Sequence, residues 1–170
     1  DTERFSLRSA RLRDAAGENA VHLVYARRAT LEDVRIERAR LDGVDLEHSE
    51  VVLRRVAVIE VGDDSLDLMG TRVVAEDLDL ADCKDNGISA GERSEVSLAR
   101  SVSARCPIGM LAKNTSSFHL EDVVVAAALT GLRLERKSDY YLGESYVEGA
   151  GLWFVAVDDP KKLVDRPRCD

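Results

Sequence analysis

Apolar and polar residues alternate along most of this chain, and the alternation restarts on a fixed beat. The quartets Ala20-Val21-His22-Leu23, Gly43-Val44-Asp45-Leu46, Ser65-Leu66-Asp67-Leu68, Gly87-Ile88-Ser89-Ala90, Gly109-Met110-Leu111-Ala112 and Gly131-Leu132-Arg133-Leu134 put apolar side chains second and fourth. The first step is 23 residues and the later steps are 22. A second column, Ile36, Val58, Leu80, Val102, Val124 and Tyr146, keeps the 22-residue step throughout. Two columns sharing one period mark an internal repeat.

In a strand, the second and fourth residues of each quartet face one way and the third faces the other. The third column is mostly polar: His22, Asp45, Asp67, Ser89, Leu111 and Arg133. One face is therefore buried and one is wet. A segment of about five residues cannot hide its apolar face alone, but the next repeat stacked on it can. A helical repeat would need apolar spacings of three and four, and stretches such as "VVAEDLDLADC" show period two instead. The leucine-rich-repeat consensus, with its asparagine, is not met. Ala29 to His48 scans as pentapeptides, but fives give a turn of twenty and the beat is lost after Glu50. The reading is an all-β parallel coil with one repeat per turn and turns about 4.8 Å apart, so six turns make a rod roughly 29 Å long.

Phrases such as "DDSLDLM", "KDNGISAGERSEV" and "IGMLAKNTSSFHLED", together with the repeat length, resemble right-handed parallel β-helix proteins of the pectate-lyase-like superfamily. The resemblance spans Phe5 to Val157 and implies a right-handed parallel β-helix of six to seven turns. Within that superfamily it points to a bacterial subfamily without an assigned activity. Many members act on polysaccharides, and others are adhesins, rods or modules of larger proteins, so the fold alone does not choose. The resemblance also favours an extracellular or cell-envelope location. As domain organisation we expect a single unit over residues 1–170, with regular turns at about 5–138, an irregular loop and last turn at 139–157, and a tail at 158–170. "GLWFVAVDD" offers a seventh strand through Phe154, 22 residues after Leu132. No amphipathic helix precedes the first turn. An open coil end exposes strand edges, which suggests cover by missing sequence, a partner, or end-to-end contact with a second copy.

Composition narrows the partners. The net charge of −8 argues against a nucleic-acid backbone and is compatible with cations, basic surfaces or neutral sugars. No run of eighteen apolar residues exists, so no membrane span is expected. No signal peptide is visible, and the compartment stays open. The three cysteines include no C-x-x-C pair and give no zinc motif; Cys83 and Cys106, 23 residues apart, read as two separate thiols.

Adding the repeat length turns side chains into ladders. Asp42, Asp64 and Asn86 form one, Asp63 and Asp85 another, Asp45 and Asp67 a third. Carboxylates about 5 Å apart repel by roughly 1 kcal/mol in water and about 3 kcal/mol at an effective dielectric of 20. Such a corner suits Ca2+, a proton at raised pKa, or an active carboxylate pair. Asp and Asn before Gly are also ordinary turn residues, and no motif requires a cofactor. A second set follows the strand: Glu92, Asn114 and Arg136, then Arg93, Thr115 and Lys137, then Ser94, Ser116 and Ser138. On the resemblance, Lys113, Glu92 and Arg136 are the catalytic candidates, for a lyase or epimerase on acidic glycans. Arg133, Lys137, Tyr140 and Trp153 are the candidates for binding sugar. The same charges are what an exposed parallel strand uses to stay soluble. The three histidines share no ladder, and no G-x-S-x-G, H-E-x-x-H, P-loop or G-x-G-x-x-G is present. Two functions follow as expectations: a non-catalytic binding or scaffold module, perhaps one part of a larger protein, and a polysaccharide lyase or epimerase as the alternative.

Overall fold

The structure, a computed structural model, describes residues 4–155. Among these residues there are fourteen strands and no helix. In chain order they are β1 (Phe5–Arg13), β2 (Val21–Val24), β3 (Ala29–Glu37), β4 (Val44–Glu47), β5 (Glu50–Ile59), β6 (Leu66–Met69), β7 (Arg72–Glu76), β8 (Asp79–Ala81), β9 (Asn86–Gly91), β10 (Glu95–Ala104), β11 (Ile108–Lys113), β12 (Ser117–Ala126), β13 (Thr130–Glu135) and β14 (Tyr146–Val155). The long strands pair as β1-β3-β5-β7-β10-β12-β14, with β8 between β5 and β10; the short ones pair as β2-β4-β6-β9-β11-β13. The chain visits one short strand and then the long layer on each circuit. The result is a parallel β-solenoid of about six turns with roughly 22-residue spacing.

The quartets are the short strands, and their second and fourth residues fill the interior. Leu66 pairs with Ile88, Ile88 with Met110 and Met110 with Leu132. Leu46, Leu66, Leu68, Ile88 and Met110 are wholly buried, facing Leu31, Leu53 and Phe118 from the long sheet. Each such side chain contributes about 1.5–3 kcal/mol by burial. The first quartet position is small because the two sheets meet there. A Cβ on Gly109 would sit 2.3 Å from Val125 Cγ1, and one on Gly43 would sit 2.2 Å from Val58 Cγ1.

Three columns of left-handed residues turn the chain at its corners. One bends the long layer at Ser9, Asp33, Arg55, Asp77, Arg100 and Asp122; a second is Asp14, Arg38, Glu60, Asp82, Arg105 and Ala127; the third includes Tyr25, His48, Gly70, Glu92 and Asn114. Left-handed backbone costs a non-glycine residue about 1–2 kcal/mol. Stacked ion pairs stand at these corners: Arg55 Nε donates to Asp33 Oδ1 at 2.6 Å, Arg38 Nε to Asp14 Oδ1 at 2.6 Å and Arg105 Nε to Asp82 Oδ1 at 2.6 Å. Inside the third corner runs a buried hydroxyl ladder. The Ala26 amide donates to Ser49 Oγ, Ser49 N to Thr71 Oγ1, Thr71 N to Ser94 Oγ, and Ser94 N to Ser116 Oγ. The serine column therefore bonds the turns. Its next member is Ser145, which accepts from Ser116 N, and not Ser138.

The register departs from a uniform 22 in two places, and both correct the sequence reading. Val96 pairs with Val73, 23 residues back, because the corner that Gly70 makes alone is made one coil later by two left-handed residues, Glu92 and Arg93. Leu80 consequently pairs with Ser103, not Val102. Val124 pairs with Trp153, not Tyr146, and Ser117 with Tyr146, 29 residues on, because the segment after β13 is seven residues longer. Phe154 accordingly lies in the long sheet beside Val125 and forms no seventh quartet. The pentapeptide beat sets no turn length.

The extra residue also aligns the cysteines. Ala81 pairs with Ala104, so Cys83 and Cys106 fall on one buried column with Cα atoms 4.9 Å apart, and they form a disulfide. Two separate thiols were expected because 23 residues looked out of step. Closing a loop of 23 residues stabilises by about 3 kcal/mol. Cys106→Ser, followed by chemical denaturation, is expected to lose that amount, and added reductant should no longer matter. An unchanged midpoint would contradict the bonded pair.

Candidate functional site

The outer face of the short sheet carries the acidic ladders. One row runs His22, Asp45, Asp67, Ser89, Leu111, Arg133. The turn before it holds Asp42, Asp63, Asp64, Asp85 and Asn86. Asp42, Asp45, Asp63 and Asp67 interact electrostatically, Asp63 with Asp85 as well, so the six expected acids share one strip. Lys113 extends over Gly91, its Cε 2.7 Å from where a Cβ would be, and donates to Ser89 Oγ at 2.9 Å. Its charge also offsets the repulsion at Asp63.

Two of these carboxylates act as turn braces. Asp42 Oδ1 accepts from the Asp64 amide at 3.0 Å; Asp64 Oδ1 accepts from Asn86 N at 2.8 Å and from Asn86 Nδ2 at 2.7 Å. Burial pushes Asp64 up to about 7, against the pull of its Asn86 hydrogen bonds, and pushes Asp42 up to about 6. Asp45 and Asp63 are also raised, by burial first. Asp63, Asp64 and Asp85 bring carboxylate oxygens within 4.8 Å of one another, as do His22, Asp45 and Glu47 with one ligand atom each.

The other candidates separate. Glu92 lies against Tyr141, whose phenol is pushed up by burial and then by the Glu92 charge, and Arg93 stands 5.5 Å from the Tyr141 ring centre. Arg136 is 3.8 Å from Asp139. Arg133 and Lys137 both hold Glu135, at 2.8 and 3.1 Å. Tyr140 is 75% exposed and packs edge-on against Tyr141. Trp153 is half exposed on the long sheet, away from Arg133 on the short one. Lys113, Glu92 and Arg136 therefore each engage a different neighbour.

A feature missed in the sequence lies on the outer face of the long sheet. Ser97 and Ala99 are short, so β10 dips between β7 and β12 and leaves an open groove of about 500 Å³. Val52, Val74, Arg54, Glu76, His119, Glu121 and Glu148 line it, with Val74 51% exposed. His119 Nδ1 and Glu148 Oε1 are 2.6 Å apart. Arg54 and Arg100 hold Glu76 below the usual carboxylate range, Arg100 contributing most. The alternating pattern of β10 carries the signal, since its outward positions are its smallest; the His119–Glu148 pair was hidden by the 29-residue step.

Neither the protein-family models nor the curated proteins contain a match to this chain.

The carboxylates set opposing pH effects. Asp42 and Asp64 have folded pKa values above their unfolded ones, so their contribution is full below about pH 4 and is lost as pH rises toward 7. Glu37, held at about 2 by Arg35, Arg11 and Arg13, contributes above its ordinary value near 4.5 and fails as pH falls toward 2. The thermal midpoint should therefore rise on acidification from pH 8 to 5 and drop below pH 4. Asp64→Asn should flatten the upper limb and raise the midpoint at pH 8; a steeper limb in that variant contradicts the assignment.

Proposed function

We propose that this chain is a non-catalytic β-helix module of pectate-lyase-like type that binds or scaffolds at the cell envelope and belongs to a larger protein. The observation that carries this reading is the dispersal of the reactive side chains. Lys113 is bonded to Ser89, Glu92 lies against Tyr141, and Arg136 faces Asp139, so base and cation do not converge on one point. General acid–base work needs those groups within hydrogen-bond reach of one substrate atom. Binding needs only a fixed surface, and the groove over β10 supplies apolar contact at Val52 and Val74 between charged flanks. Carbohydrate is the ligand class that this mixture of apolar floor and polar rim suits. The Cys83–Cys106 disulfide supports an oxidising compartment. Ca2+ at the acidic strip is an accessory to this reading and not a requirement of it.

Incubation with uronate polymers should yield no unsaturated or epimerised product, while a glycan-binding screen should retain the chain. Val74→Asp should cut that retention by about tenfold or more, with the fold checked by circular dichroism. Turnover that disappears in Lys113→Ala would overturn the module reading in favour of a lyase or epimerase.

A further inference from the structure

We propose that His22, Asp45 and Glu47 form a binding site for a borderline divalent cation such as Zn2+. His22 on β2 is the direct ladder partner of Asp45 on β4, and Glu47 lies two residues further along β4, on the same face. Strand pairing therefore sets the spacing of all three, with no mobile loop involved.

The distances are those of a coordination shell. His22 Nε2 is 3.1 Å from Glu47 Oε1 and 3.4 Å from Asp45 Oδ2. Ligand atoms held about 2.1 Å from a zinc ion are themselves about 3.0–3.4 Å apart. Both carboxylates approach the same ring nitrogen, and a single N–H on Nε2 is directed at only one of them. A cation in place of that proton would meet all three ligand atoms at once and relieve the repulsion between the two carboxylates. Asn19 Nδ2 donates to Asp45 Oδ2 at 2.7 Å and fixes that carboxylate from outside, as outer partners of metal ligands do. The Asp45 and Glu47 side chains are only 15% and 29% exposed, whereas His22 is 46% exposed, so the carboxylates are held in place while the imidazole edge stays open to an entering ion.

One imidazole and two carboxylates select borderline ions over Ca2+, which takes six to eight oxygen ligands. The cluster of Asp63, Asp64 and Asp85 differs: it has no nitrogen ligand, and its Asp64 Oδ1 is committed to Asn86. Water completes the coordination at the His22 site.

The test uses the full chain, freed of metal by dialysis against a chelator and titrated calorimetrically with zinc chloride at pH 7.5. Wild type should bind an equivalent that is lost or weakened by at least about tenfold in His22→Ala and in Glu47→Gln. Asp85→Asn should leave that equivalent unchanged, and calcium chloride should bind at least about tenfold more weakly than zinc. Circular dichroism shows whether each variant is folded, and the zinc-dependent shift of the His22 ring-nitrogen resonance reads the ligand directly in wild type. No heat at millimolar zinc, an affinity indifferent to His22→Ala, or a loss confined to Asp85→Asn would each overturn the proposal.

Discussion

Parallel pairing of each coil with the next decides what every side chain in this protein meets. Strands about 4.8 Å apart bring equivalent positions into contact, so a residue's neighbours are its counterparts one coil away. Apolar columns become a continuous core through Leu66, Ile88, Met110 and Leu132. Polar columns become hydroxyl, amide and ion-pair ladders. Repetition offsets unfavourable features one at a time: left-handed arginines at the corners grip the aspartate of the adjacent coil, and buried serine and threonine hydroxyls satisfy amides that would otherwise be orphaned.

The same geometry explains the dispersal of chemistry. A ladder pairs charges along the coil axis, and most basic groups on these faces are spent on such pairs, as with Arg54 and Arg100 on Glu76. What stays available lies where the ladder is irregular. The first short strands combine a histidine with two carboxylates, and β10 places small residues between larger neighbours. Departures from the repeat are thus the places to look for binding, while its regular parts supply stiffness.

Much of the fold was legible because glycine or another small residue recurs where the two sheets touch, and the polar third position of each quartet marks the wet face. The acidic strip was legible for the same reason, since Asp42, Asp63 and Asp64 keep the 22-residue step relative to Asn86 and Asp85. The slips were not legible. Nothing in Glu92-Arg93 announces that both take the left-handed conformation, since neither is glycine or asparagine, yet that added residue moves Val96 onto Val73 and Cys106 onto Cys83. The long connection before β14 likewise hid the approach of Glu148 to His119.

Cross-linking at the slipped register tests the stacking most directly. Val74 and Ser97 are ladder partners on the outer face, so cysteines placed at both should form a disulfide under mild oxidation, detected as a linked peptide by mass spectrometry. Cysteines at Val74 and Val96, the partners that a uniform 22-residue step would give, should stay unlinked. The reverse result, or linkage of neither pair, would contradict the coil-on-coil arrangement described.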